Sequence, residues 1–192
     1  MTVPPQLLRR IIPSVPLSSL DIPPDTLGEL QRVASELRAG MPSTSATGLL
    51  LSGCSASSAL AAEAVAHALG RDLVRVDLGA VVSQYIGETE KNLDRILETT
   101  DPERSILFFD EADALFGERT EVRDSHDRYA NMEVSYLLQR LESFSGLVIF
   151  ATASPIESIV GRLARYAIHL PPGAGPPSGA FGSRINGRVA GV

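Results

Sequence analysis

A chain of 192 residues, 44% hydrophobic and 21% charged, is long enough for one sizeable core and too short for two, and its composition excludes a disordered or fibrous protein. Its net charge of -6, with no run of basic residues, provides no field that would gather phosphate backbones, which excludes nucleic acid as the main partner. A single cysteine, Cys54, excludes an internal disulfide and a multi-thiolate metal site and fits a reducing compartment.

From Pro4 to Pro24 repeated prolines interrupt apolar residues, so residues 1–24 are expected to run as an extended Pro-rich arm over the surface. Met1 to Pro5 lack the basic head and apolar stretch of a secretory signal. No apolar run approaches the roughly 18 residues that span a bilayer. A cytoplasmic protein with no membrane partner is the expectation. Asp25 precedes a helical pattern through Leu27, Leu30, Val33 and Leu37 that Gly40 ends. Gly48 to Ser52 is a short apolar run of the kind a buried parallel strand requires. Residues 58–69 read as a second helix, with Leu60, Ala61, Ala64, Val65, Ala68 and Leu69 on one face and Gly70 as its stop. Cys54 reads as a small buried residue at a strand end.

Leu73 to Asp77 alternates as a strand does, Glu88 to Thr99 is helical, and Ser105 to Phe109 is a strongly apolar strand. A long helix is expected from Arg128 to Phe144, with Val134, Leu137, Leu138 and Leu141 as its stripe, followed by a strand from Gly146 to Thr152. This alternation predicts an α/β fold, a parallel sheet sandwiched between helices, over residues 25–172. Ligands of such folds sit at the C-terminal ends of the strands. Residues 173–192, rich in Gly, Pro and Ser, are expected to form a flexible tail.

The strongest chemical signal is Ile106-Leu-Phe-Phe running straight into Asp110, Glu111 and Asp113. Alone, this is equally a buried strand closing on a solvated acidic turn. Two longer stretches add specificity: Val81 to Leu93, containing Tyr85-Ile86-Gly87-Glu88, and Arg123 to Glu142, containing Tyr129-Ala-Asn-Met-Glu133. Over about residues 20–172 the sequence resembles the AAA ATPases, a branch of the P-loop NTPases. The second stretch is most similar to the subgroup that accompanies phage-tail-like contractile injection particles.

The resemblance implies roles. Asp110 would hold Mg²⁺ through water, and Glu111 would polarise the water that attacks the terminal phosphate. Tyr85 and Ile86 would face a central pore, with Gln84 where the family usually has Lys. The phosphates would be cradled by Gly53, Cys54, Ser55, Ala56, Ser57, Ser58, Ala59 and Leu60. In that segment Ala59 stands at the lysine position, Leu60 at the Mg²⁺-binding hydroxyl position, and Ala56 and Ser58 at glycine positions. No lysine occurs between Gly40 and Gly87 that could be shifted into register. Ala153 stands where the family has a phosphate-sensing Asn, with Ser154 one residue off. Of the family's paired arginines only Arg162 remains, with Arg165 as a substitute.

The segment Ser43 to Thr47, on the adenine side, is shorter than in the family, and the family's helical lid domain is missing. His67, His126 and His169 show no metal-ligand spacing. The expectation is a hydrolysis-deficient pseudo-ATPase, a binding or assembly module in a homo- or hetero-oligomer with AAA subunits. It would take ATP and Mg²⁺ only if the altered loop still binds nucleotide. A slow but active ATPase working through Glu111 is the alternative.

Overall fold

A computed structural model describes residues 7–40, 46–81, 88–113, 135–153 and 163–171. Strands β1 (Leu8–Ile11), β2 (Thr47–Ser52), β3 (Asp72–Val76), β4 (Ser105–Phe109), β5 (Leu147–Thr152) and β6 (Ala164–His169) form one sheet in the order β1-β3-β4-β5-β2-β6. All neighbours pair in parallel except β1, which lies antiparallel on β3.

Strand alternation sends side chains to two separate cores. Leu49, Leu51, Ile106, Phe108, Ile149 and Ala151 face α1 (Pro24–Ala39) and α2 (Ser55–Leu69). Leu50, Leu107, Phe109, Val148 and Phe150 face α3 (Leu78–Val81), α4 (Glu88–Thr99) and a helix α5 over residues 135–142. Burying each of the large side chains contributes about 1.5–3 kcal/mol, and Phe109 and Phe150 add a stacked pair with centroids 5.5 Å apart. The Tyr136 hydroxyl donates to Asp94 at 3.0 Å and Arg140 Nε donates to the same carboxylate at 2.7 Å, which ties α5 to α4. Among the described residues no helix is long and apolar enough to cross a membrane.

The α/β sandwich is as the sequence pattern predicts, with informative differences. The arm is more than surface packing, because Leu7 is buried and residues 8–11 add a strand to the sheet edge. Helix α2 begins at Ser55 rather than at residue 58, and its buried face is broader than expected: Ala62 and Ala66 are buried while Leu60, Ala68 and Leu69 are only half-buried. Covered by the sheet, α1 and the arm, an alanine-rich helix needs no single apolar stripe. In the long helix expected from Arg128, residues 135–142 are helical and Leu137 and Leu141 are buried. Val134 and residues 128–133 lie outside the described residues.

Strand β6 was not foreseen, although Ala164-Arg-Tyr-Ala-Ile-His alternates. It passes so close to β2 that a Cβ on Gly48 would sit 2.3 Å from the Leu163 carbonyl oxygen, so only glycine fits there.

Candidate functional site

Three parallel strands end side by side at one edge of the sheet. Ser52 of β2 pairs with Thr152 of β5, and Phe109 of β4 pairs with Phe150. The chain leaves β2 through α2 towards β3 and later returns to the opposite side of β2 as β6, so the strand order reverses here. Such reversals open a crevice beyond the strand ends. A cavity of about 350 Å³ occupies it, lined by Ser55, Asp110, Glu111, Asp113, Thr152 and Ala153 among others.

Asp110 is the anchor of the cavity. Its side chain is only 4% exposed, and Arg75 Nη2 lies 2.8 Å from Oδ2. Oδ1 accepts the Ser55 hydroxyl at 3.3 Å and the Glu111 amide at 3.0 Å. Glu111 adopts φ 53°, a left-handed conformation that costs a non-glycine residue about 1–2 kcal/mol. Its amide bond to Asp110 and the Ala112 amide bond to the Ala151 carbonyl at 2.8 Å hold it there. Strain of this kind gathers at functional sites. Asp113 completes a wall of three carboxylates, and among the described residues lining the cavity none is basic.

The segment Gly53 to Leu60 meets that wall through Ser55. Gly53 is the hinge: its φ of 141° and the Leu170 carbonyl oxygen, 2.4 Å from where a Cβ would stand, leave room only for glycine. Cys54 caps α2 without a side-chain bond, and Ser55 is already helical. The Ser58 amide donates to the Cys54 carbonyl at 2.9 Å, so the helical ladder is under way by that residue. Ala59 and Leu60 follow inside the helix, where backbone amides serve i→i−4 bonds rather than a ligand. The Ser58 hydroxyl is buried without a hydrogen-bond partner among the described residues, a cost of about 1–3 kcal/mol.

The structure therefore brings Asp110, Glu111, Ser55 and Ala153 to one cavity, and winds Ala56 to Leu60 into α2 beside it. Cys54 is exposed at the helix start, not buried as its residue type suggested, because the helix begins directly behind it. Arg165 lies at the other end of the sheet, at the start of β6, with its guanidinium 5.7 Å from the Tyr166 ring centre. Tyr85, Ile86, Gln84, Ser154 and Arg162 lie outside the described residues. Among the described residues no group of three or more His, Cys, Asp or Glu is arranged to hold a metal ion.

Arg75 is the site residue that sequence reasoning missed. Its signal was a lone charge inside the run Leu73-Val-Arg-Val76. Its partner becomes visible only once β3 is known to lie beside β4.

Comparison with known proteins places this geometry. The sequence is 34% identical over 103 residues to a cell division protein C of Sulfolobus acidocaldarius, covering 49% of this chain and 28% of that protein. It is 35% identical over 101 residues to a probable 26S proteasome regulatory subunit 10B of Caenorhabditis elegans, covering 50% and 25%. A proteasome-activating nucleotidase of Methanosphaerula palustris shares 36% identity over 87 residues, covering 45% and 21%. The matched stretch thus spans about a quarter of the length of these relatives. The model of the ATPase family associated with various cellular activities (AAA) matches residues 57–171, more than half of the chain, including Asp110, Glu111 and every strand from β3 to β6. With that match, on a mostly parallel sheet whose strand ends carry the acids, the chain belongs to the AAA family of P-loop NTPases.

Proposed function

We propose that this AAA domain is a hydrolysis-deficient pseudo-ATPase, acting as a binding or assembly module beside other AAA subunits. Membership of the family makes Mg²⁺ and nucleotide the ligands against which the residues must be weighed. In this reading they do not suit a Mg²⁺-bound triphosphate. The observation that carries it is the early start of α2: the segment that would wrap the phosphates is helix from Ser55, with alanine at the lysine position and leucine at the hydroxyl position. Among the described residues the cavity is lined by a helix start and three carboxylates; Asp110 is paired with Arg75, and Glu111 and Asp113 are left to repel a polyanion. A hydrogen bond to a charged phosphate contributes about 1.5–3 kcal/mol, so the missing lysine alone weakens binding about tenfold to a hundredfold.

The similarity to a proteasome regulatory subunit supports a place in an oligomer. The stretch from Arg123 to Glu142 supports the contractile-injection subgroup as its setting. Tyr85 and Ile86 would then be retained as a pore-facing pair, and Arg162 as the residue offered to a neighbour. The second reading, a slow working ATPase, draws on the strained, retained Glu111.

A ligand that binds only the folded state raises its melting temperature, by an amount that grows with the logarithm of ligand concentration above Kd. Millimolar Mg²⁺-ATP is expected to leave the melting temperature of the full chain unchanged in a thermal scan. A marked rise would favour the working-ATPase reading.

A further inference from the structure

Arg75 and Asp110 form an ion pair that the family roles leave unexplained. Arg75 stands on β3 level with Phe108 of β4, so its side chain shares the α2 side of the sheet with Asp110, two residues further along β4. Across the antiparallel edge its direct partner is Arg9. Like charges opposite one another repel, which favours the Arg75 rotamer turned away from the arm and towards β4.

There the guanidinium meets a carboxylate that is almost wholly buried, while Arg75 itself stays 46% exposed. A buried carboxylate without a counter-charge is costly, and removing one partner of such a pair leaves that cost behind. With Ser55 and the Glu111 amide on Oδ1 and Arg75 on Oδ2, both oxygens of Asp110 are engaged by this chain alone.

We propose that Arg75 takes the place of the divalent cation. It is a built-in counter-ion that fixes Asp110, and through it the Glu111 turn and the Ser55 helix start, so that the cavity keeps its shape without metal or nucleotide. This rests on the hydrolysis-deficient reading and goes further by naming what replaced the metal's structural role.

The test is a double-mutant cycle on the full chain with Arg75→Gln, Asp110→Asn and both together, read by urea unfolding. Alongside it, the wild-type melting temperature is measured in EDTA and in millimolar Mn²⁺. Each single change is expected to destabilise, and the pair together by less than their sum, with a coupling of about fivefold or more in the folded-to-unfolded ratio. The exposure of Arg75 keeps this at the lower end for a buried acid. The wild type is expected to melt at the same temperature in both buffers.

Additive effects overturn the proposal, as does a Mn²⁺-dependent rise in the wild type that Asp110→Asn removes. Where Arg75→Gln alone does not fold, folding of the double variant is the supporting result and its failure the contrary one. Phosphate release by the wild type speaks against the hydrolysis-deficient reading whichever way the cycle falls. An additive cycle in an inactive protein overturns only the assignment of Arg75.

Discussion

Purified protein given Mg²⁺ and ATP is expected to release phosphate no faster than a protein-free blank, and Glu111→Gln is expected to leave that rate unchanged. Ordinary enzymes turn over at about 1–10³ s⁻¹, so even a thousandth of the upper figure is within reach of a steady-state phosphate assay. The expectation is strong because the losses compound. Glu111 keeps its place at the end of β4 through a strained backbone, while on the proposed reading the helix from Ser55, with alanine at position 59, offers no lysine to bring a terminal phosphate within its reach. A general base with no positioned substrate contributes nothing, since most of its advantage comes from geometry. Phosphate release that disappears in Glu111→Gln would put the working-ATPase reading first.

The second large effect concerns repair. Combining Ala56→Gly, Ser58→Gly, Ala59→Lys and Leu60→Thr is expected to restore Mg²⁺-ATP binding with a gain of at least about 2 kcal/mol, roughly thirtyfold in affinity. Each glycine disfavours helix by about 1 kcal/mol relative to alanine, so the pair helps unwind the first turn of α2 into a loop. Ser58→Gly also removes a buried hydroxyl that has no partner among the described residues, which offsets part of that cost. The lysine and threonine then supply the cation and the hydroxyl. Turnover is expected to stay poor, because Ala153, which lines the cavity, offers no side-chain amide to sense a phosphate. Calorimetry on a variant that circular dichroism shows to be folded checks this. No gain in a folded variant would place the defect beyond the loop, with the short segment Ser43 to Thr47 as the next suspect.

These expectations depend on what the sequence made legible. Leu49 to Leu51, Ile106 to Phe109 and Leu147 to Ala151 are apolar on both faces, as strands covered by helices on both sides must be, so the sheet and the acids at its edge could be read directly. The start of α2 could not. Ser55, Ala56, Ser57 and Ser58 are small residues that suit a loop as well as a helix start, so the sequence alone does not say where the helix begins. Strand β1 was hidden because Leu-Arg-Arg-Ile carries no strong alternation and prolines surround it. Its pairing depends on β3 offering an open edge. Cys54 was misplaced for the same reason as the helix start, and Arg75 because a diagonal pair across strands needs the strand order.

On the pseudo-ATPase reading the cavity at the ends of β2, β4 and β5 does not accept a Mg²⁺-nucleotide. The most direct measurement is a calorimetric titration of ATP into the 192-residue chain, with and without Mg²⁺. No saturable heat is expected at millimolar nucleotide, and no difference between the two conditions. Saturable binding that Mg²⁺ strengthens and Asp110→Asn abolishes would contradict it.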